Sequence, residues 1–337
     1  MVDKIARTYD FIVVGLGTAG SATSMTLARR GFKVLGIDKH RPPHRMGSHH
    51  GASRSVRRAY LEGTSYVPMA MRSWELWRKL EKDSGQKLLL ETGNLTIGPP
   101  DSPAVTGFIT SAQTYEIPHE YLTATEVCKR WPQLFLSDNF VAGLEKSAGI
   151  VFPELSIATF LAEAEKAGAD LVVEETVDRW SEDQGTIYVH TNRRTHETGR
   201  LLISAGAWTN RLLRIPGRLL MPNRVPVHWV KAPEDKGYHI GCFPVNFWQI
   251  PIEKGLGSSK TYREFYALPV TDRNSQIKIA FHNELVDCDP VRLTRDILPD
   301  ELTKIRAIIS KFYPGLRQQA ITSEVCMYTM TPDGQFY

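Results

Sequence analysis

The chain has 337 residues, 42% apolar and 23% charged, with Lys+Arg 41 against Asp+Glu 37 for a net charge of +4. That length is too great for one simple core and suits two domains, and the balanced charge, with no dense basic tract, argues against nucleic acid as a partner. Four scattered cysteines, Cys128, Cys242, Cys288 and Cys326, with no CxxC pair, argue against a disulfide framework or a thiolate zinc site and for a reducing compartment.

The opening MVDKIARTYDFIVVG has an apolar run of only a few residues, shorter than a signal peptide's apolar core and far short of the roughly 20 residues of a membrane span. A cytoplasmic protein with no membrane partner is expected. Phe11–Val14 reads as a buried parallel strand, Ala19–Arg30 as a helix closed by Gly31, and Lys33–Ile37 as a second strand ending at Asp38. Together they make one βαβ unit. Gly15-Leu16-Gly17-Thr18-Ala19-Gly20 at its first turn matches G-x-G-x-x-G. In that pattern Gly15 permits the tight turn, Gly17 admits a pyrophosphate to the backbone, and Gly20 lets helix and strand pack closely. The helix N-terminus favours phosphate charge, and the acidic Asp38 suits ribose hydroxyls and disfavours a 2′-phosphate, so NAD and FAD both remain.

Further along, a turn-rich stretch from Arg41 to Arg54 leads into a helix expected over Tyr66–Lys82. Ser156–Ala167 reads as a helix with a serine cap and a Gly168 stop. LVVEETV and TIYVHT follow as strands, RLLISAGAW (Arg200–Trp208) as a strand entering a glycine turn, and Pro299–Phe312 as a helix. Residues 93–145 and 223–322 carry more proline, aromatic residues and alternating strand-like runs. The expected organisation is a discontinuous dinucleotide domain from residues 1–92, 146–222 and 323–337, with a second domain from residues 93–145 and 223–322 inserted into it.

Gly47–Trp77 brings two histidines and three arginines, His49, His50, Arg54, Arg57 and Arg58, into a dozen residues. Adjacent histidines without an acidic or thiol partner nearby do not make a metal site, and no metal is expected. The arginines offer a fork suited to an anionic cofactor or a substrate carboxylate.

The run GSHHG-x-x-R-x-x-R-x-AY-x-EG-x-x-YVP, together with Cys326-Met-Tyr-Thr-x-Thr-Pro-Asp, resembles the monomeric sarcosine oxidase and N-methyltryptophan oxidase family of flavoenzymes. The resemblance extends through KRWP, SAGIVF, SAGAW, FYALP and IKIAFH, almost from Tyr9 to Phe336. It implies an α/β fold with a glutathione-reductase-type, Rossmann-like FAD-binding domain and an α+β substrate domain on a mixed or antiparallel sheet. It also implies a monomer acting on a small secondary amino acid and O2. Cys326 resembles the cysteine that bonds the 8α-methyl carbon of FAD, with His50 and Arg54 as nearby cations. Arg57 matches the arginine that grips the substrate carboxylate, Tyr266 and His282 match pocket residues, and Lys278 matches the lysine that activates oxygen. Ser48, His49, Arg54, Val177, Gly206 and Trp208 join Gly15, Gly17, Gly20, Asp38 and Cys326 as the implied cofactor contacts.

The implied reaction is oxidative demethylation of an amino acid such as sarcosine or N-methyltryptophan, with O2 giving hydrogen peroxide, formaldehyde and the demethylated product. Two alternatives stand beside it: an oxidase of a cyclic or glycated amino acid on the same fold, and a truncated, non-catalytic flavin-binding remnant. The last follows because family members continue past TPDGQFY into a G-x-S-G-H-G-F-K turn and a final helix, so impaired flavin retention and turnover are expected.

Overall fold

The computed structural model describes residues 6–213, 219–252, 261–272, 275–284 and 286–334. Its nucleotide-binding half is built around four parallel strands in the order Asp170–Val173, Val34–Asp38, Phe11–Val14 and Leu201–Ile203. Both faces of such a sheet are covered, so its strands read as unbroken apolar runs. On one face the helices Thr18–Arg29 and Pro153–Lys166 pack together, enclosing Val13, Leu16, Ala28, Val34, Ile157 and Ala164. On the other, Ile12, Val14, Leu35 and Ile37 meet Val189 of an antiparallel meander, Val177–Asp183, Thr186–Thr191 and Thr195–Thr198.

Phe11–Val14, Thr186–Thr191 and Pro299–Phe312 form the elements their sequences predict. Two expectations fail for local reasons. The helix assigned a Ser156 cap begins at Pro153, with Phe152 in the capping position, and the Ser156 hydroxyl donates back to Phe152 O at 2.7 Å. Proline suits the first turn because its missing N–H would have had no partner there. LVVEETV is not one strand: Glu174 turns left-handed at φ 59°, which ends Asp170–Val173 and starts the meander at Val177.

The other half is a nine-stranded, mostly antiparallel sheet. Its central strands are Met221–Lys231, Gln276–His282, Tyr262–Leu268 and Val245–Pro251, and the last pairs in parallel with Asn94–Gly98. Ile321–Met330, which straddles the boundary expected at residue 323, pairs with Met221–Val230 along its length and so belongs to this sheet. Side chains alternate faces with a period of two. Trp248, Phe265, Ile277 and Ile279 point to a core closed by Ile305, Ile309, Phe312 and Tyr313, where the Trp248 and Phe265 rings stack 5.4 Å apart. Their sequence neighbours Phe247, Tyr266, Lys278, Ala280 and His282 therefore face the opposite way. A small three-stranded sheet, Arg54–Val56, Gly149–Val151 and Leu89–Glu91, carries Arg54.

Candidate active site

The glycine turn opens the site. Gly15 has φ +91°, and a Cβ there would lie 2.6 Å from Ser204 O; a Cβ on Gly20 would lie 1.8 Å from Gly15 O. Both glycines are thus required by packing. Among the described residues, a Cβ on Gly17 would meet beyond its own turn and helix backbone only His49 Nδ1, at 3.4 Å. The helix that follows has no side-chain cap at Gly17, so its first amides have no side-chain acceptor there, as anion binding at a helix N-terminus requires. Asp38 Oδ2 accepts from the Leu16 amide at 2.7 Å and Oδ1 from the His40 amide at 2.8 Å. Burial pushes the Asp38 carboxyl up, and the hydrogen bonds from His44, His40 and Leu16 outweigh it, leaving it below the usual carboxylate value.

The GSHHG loop folds over this turn. His49 Nε2 accepts from the His44 amide at 3.2 Å. Burial, reinforced by neighbouring positive charge, lowers His49 and His50 to about 4. Neither ring nitrogen of buried His50 has a hydrogen-bond partner among the described residues, although Nδ1 lies 3.6 Å from Glu324 Oε2. Arg54 donates to Ser48 O at 2.6 Å and to His50 O at 3.1 Å, which ties the loop's two ends together. Buried Cys326 has Sγ 3.6 Å from Ser48 O and packs with Val225, Ala280, Tyr266 and Tyr328.

Beneath the loop, Lys278 is 1% exposed, and Nζ donates to Gly51 O at 2.9 Å and Ser53 O at 2.8 Å. Burial, and then the Arg54 guanidinium, hold its ammonium well below a lysine's ordinary value. Arg54, Arg57, Tyr266, Lys278 and His282 line one cavity of about 130 Å³, with Ser55, Asn94, Phe247 and Tyr328 among the remaining wall residues. Burial raises the Tyr266 and Tyr328 phenols, so both are neutral. Arg57 Nη2 donates to Glu62 at 2.6 and 2.9 Å, and its guanidinium lies 5.0 Å from the Tyr60 ring centre.

Five of the residues singled out from sequence thus meet at one cavity, while His50 and Cys326 lie buried beside it. Gly15, Gly17, Asp38, Ser48 and His49 belong to the glycine turn and the loop above it. Val177 packs against the core that flanks the parallel sheet, and Gly206 and Trp208 form a short turn just after its Leu201–Ile203 strand. Glu154, in the first turn of Pro153–Lys166, went unnoticed in the sequence; its Oε1 accepts from the Gly51 and Ala52 amides at 2.7 and 3.0 Å. An acidic residue just after a helix-initiating proline is a signal for the helix, and nothing local points it at a loop a hundred residues away. Asn94 and Phe247 were missed because nothing local marks them, and Tyr328 because the signature around Cys326 was read for its cysteine alone. Among the described residues no group of three or more His, Cys, Asp or Glu side chains is placed to hold a metal ion, and no helix is long and apolar enough to cross a membrane.

A glycine turn on a parallel sheet, together with an arginine- and lysine-lined cavity on a second sheet, defines the class of dinucleotide-dependent oxidoreductases. The family described as FAD dependent oxidoreductase, DAO, matches residues 10–337. A monomeric sarcosine oxidase of Streptomyces avermitilis is 35% identical over 98% of this chain and 85% of its own. An N-methyl-L-tryptophan oxidase of Salmonella agona is 30% identical over 97% and 85%. Among solved structures, NikD, an unusual amino acid oxidase essential for nikkomycin biosynthesis, shares the fold with a TM-score of 0.83 at 22% identity, covering 98% of this chain and 84% of that one. The chain belongs to the FAD-dependent DAO oxidoreductases and, within them, to the monomeric sarcosine oxidase and N-methyltryptophan oxidase family.

The residues present fit FAD. The open space at Gly17 and the uncapped helix suit a pyrophosphate. Half-buried Arg54 and buried Lys278 supply positive charge near Cys326 and suit an electron-accepting ring, whereas His50, expected as a cation, is a buried neutral ring whose nitrogens have no hydrogen-bond partner among the described residues.

Proposed function

We propose that this protein oxidises an N-methylated or other secondary amino acid with O2. The observation that carries this reading is the convergence of Arg57, Tyr266, Lys278 and His282, from distant parts of the chain, on the cavity backed by Arg54. The FAD, when bound, would accept two electrons from the carbon next to the substrate nitrogen and return them to O2 as hydrogen peroxide; the imine left behind hydrolyses to an aldehyde and the primary amino acid.

Each protein group has a task suited to its chemistry. Arg57 presents a guanidinium to the substrate carboxylate, and Glu62, already bonded to it, sets its orientation. The neutral phenol of Tyr266 and the His282 ring line the same cavity and would flank the amine. Lys278, fixed by two carbonyls in a water-poor site, holds a positive end where negative charge develops on oxygen, and such preorganised charge needs no rearrangement during reaction. Asp38, Ser48, His49 and Arg54 would hold the dinucleotide with the three motif glycines and the Val177, Gly206 and Trp208 segments. The Cys326 thiol, beside Arg54 and His50, would anchor the cofactor covalently. In this reading the nucleotide domain carries the parallel sheet and the inserted substrate domain the nine-stranded sheet, to which Ile321–Met330 is reassigned.

The test is peroxide formation by the FAD-loaded protein on addition of sarcosine, other N-methyl amino acids, L-proline or L-pipecolate. Peroxide with the N-methyl compounds and aldehyde in equal amount is expected. Peroxide with cyclic amino acids alone would replace the N-methyl assignment by the cyclic alternative, and peroxide with none would refute the oxidase reading.

A further inference from the structure

Three polar atoms at the wall of this cavity are buried and lack hydrogen-bond partners among the described residues: Asn94 Oδ1, Ser55 Oγ and Arg57 Nε. Most buried polar groups are paired, because leaving one unpaired costs about 1–3 kcal/mol. A cluster of exceptions around one cavity calls for a ligand. Asn94 is the most telling. It is 1% exposed, and its amide nitrogen reaches only Thr96 Oγ1, at a long 3.4 Å.

A second buried asparagine on the neighbouring strand shows what saturation looks like. Asn246 donates to Pro244 O and accepts from Trp248 Nε1 at 2.8 Å and the Tyr313 hydroxyl at 2.6 Å. Asn246 lies in the parallel-paired strand one register step from Asn94, whose partner is Val245. The fold therefore can satisfy an asparagine here, and it does so for the one away from the cavity. An apolar wall would serve a substrate with nothing beyond its N-methyl group and carboxylate, and Val245, Phe247 and Leu268 already supply one.

We infer that Asn94, with Ser55, is a specificity-determining pair that hydrogen-bonds a polar group on the substrate's side chain, so that the preferred substrates are N-methyl amino acids bearing a side-chain hydroxyl or amide. The inference rests on the amino acid oxidase reading above and narrows its substrate class. Arg57, which lines the same cavity, adds an unpaired Nε–H donor, Ser55 can donate or accept, and Asn94 Oδ1 accepts. A site built to pair a hydroxyl or N–H rejects the isostere that lacks it far more strongly than an apolar site rejects an extra methyl.

The test uses matched pairs on the FAD-loaded protein. N-methyl-L-serine is compared with N-methyl-L-2-aminobutyrate, and their ether counterparts, 2-methoxy-3-hydroxypropanoate and 2-methoxybutanoate, which have no amine to oxidise, are compared by calorimetry. Wild type is expected to favour the hydroxyl-bearing member at least tenfold in kcat/KM and in affinity. Asn94→Leu should bring both ratios close to one, and Ser55→Ala should lower them several-fold. A second readout needs no cofactor: because Asn94→Leu removes an unpaired polar group, it should raise the melting temperature of the apoprotein, whereas a merely structural asparagine would lower it. Equal binding of the two ethers by wild type, or a ratio unchanged in both variants, overturns the inference and leaves the oxidase reading standing. Failure of both ethers to bind, with no flavin reduction by sarcosine, overturns the oxidase reading and the inference with it.

Discussion

Glu154 and Lys278 both hold the same three-residue strap, Gly51 to Ser53. The Glu154 carboxylate takes the amides of Gly51 and Ala52 at 2.7 and 3.0 Å, while the Lys278 ammonium takes the carbonyls of Gly51 and Ser53 at 2.9 and 2.8 Å. Between them Gly51 has φ +116° and Ala52 φ +65°, left-handed conformations that an alanine adopts only when its surroundings impose them. The strap joins the cofactor-facing loop to the arginines of the cavity, so its conformation sets both.

Removing the carboxylate should loosen it. Glu154→Ala leaves two amides without their acceptor and is expected to cost about 1–3 kcal/mol in urea unfolding of the apoprotein. Glu154→Gln keeps an acceptor oxygen and should lose less than half as much. Equal losses in the two variants would show that charge, and not the hydrogen bonds, holds the strap.

The histidines of the loop predict acid sensitivity. His49 and His50 sit at about 4 in the fold, lowered by burial, against about 6.5 when unfolded. Between those values the unfolded chain binds more protons, so stability is fully present above about pH 6.5 and is lost as pH falls toward 4. His228, also lowered to about 4 by burial, shares the effect. Replacing His50 with Asn should flatten the fall by on the order of 1–3 kcal/mol across this window. Urea unfolding of apoprotein at several pH values checks it, and an unchanged slope would mean that His50 is not buried as a neutral ring.

Lys278 predicts the opposite end of the scale. Its depressed folded-state value means that the unfolded chain holds this proton more firmly, so its penalty is present at neutral pH and is relieved as pH rises toward about 10.4. Lys278→Met should remove that rise in stability. In the FAD-loaded protein the same variant should slow reoxidation by O2 far more than anaerobic reduction by substrate; equal slowing of both steps would take the oxygen role away from Lys278.

The Arg57–Glu62 pair predicts a gain. Glu62 occupies one edge of the guanidinium that a substrate carboxylate would need. Glu62→Gln should tighten carboxylate binding by about fivefold, equivalent to about 1 kcal/mol, whereas Arg57→Ala should lower kcat/KM by a hundredfold or more. Weaker carboxylate binding in Glu62→Gln would show that Glu62 acts only by orienting Arg57.

Cys326→Ala should leave flavin that dissociates on acid precipitation, whereas wild-type flavin should stay with the pellet. Flavin remaining in the variant's pellet would remove Cys326 as the attachment point.

The nucleotide half was legible because its chemistry is local. Gly20 is imposed by a contact under 3 Å with Gly15 of its own turn, Gly15 carries a positive φ that glycine alone adopts freely, and the strand Phe11–Val14 is an unbroken apolar run because its sheet is covered on both faces. The period of two along Ile277–His282 also carried information, since it places Lys278 and His282 on one face. What sequence could not show was which distant residues complete that face. Glu154 and Asn94 reach the site through helix placement and sheet order, and neither stands in a local pattern that marks it, whereas Tyr328 stands two residues after Cys326 in its signature and was passed over. The Ser156 reading failed because a serine cap and a proline start compete within one turn, and the proline, needing no partner for its missing N–H, took the position.

The most direct measurement is anaerobic titration of the FAD-loaded protein with sarcosine and with N-methyl-L-serine, followed by admission of O2. The account predicts loss of the oxidised-flavin absorbance with one equivalent of substrate, its return with O2, and one equivalent each of peroxide and formaldehyde. Bound flavin that stays oxidised in the presence of every N-methyl amino acid would contradict it.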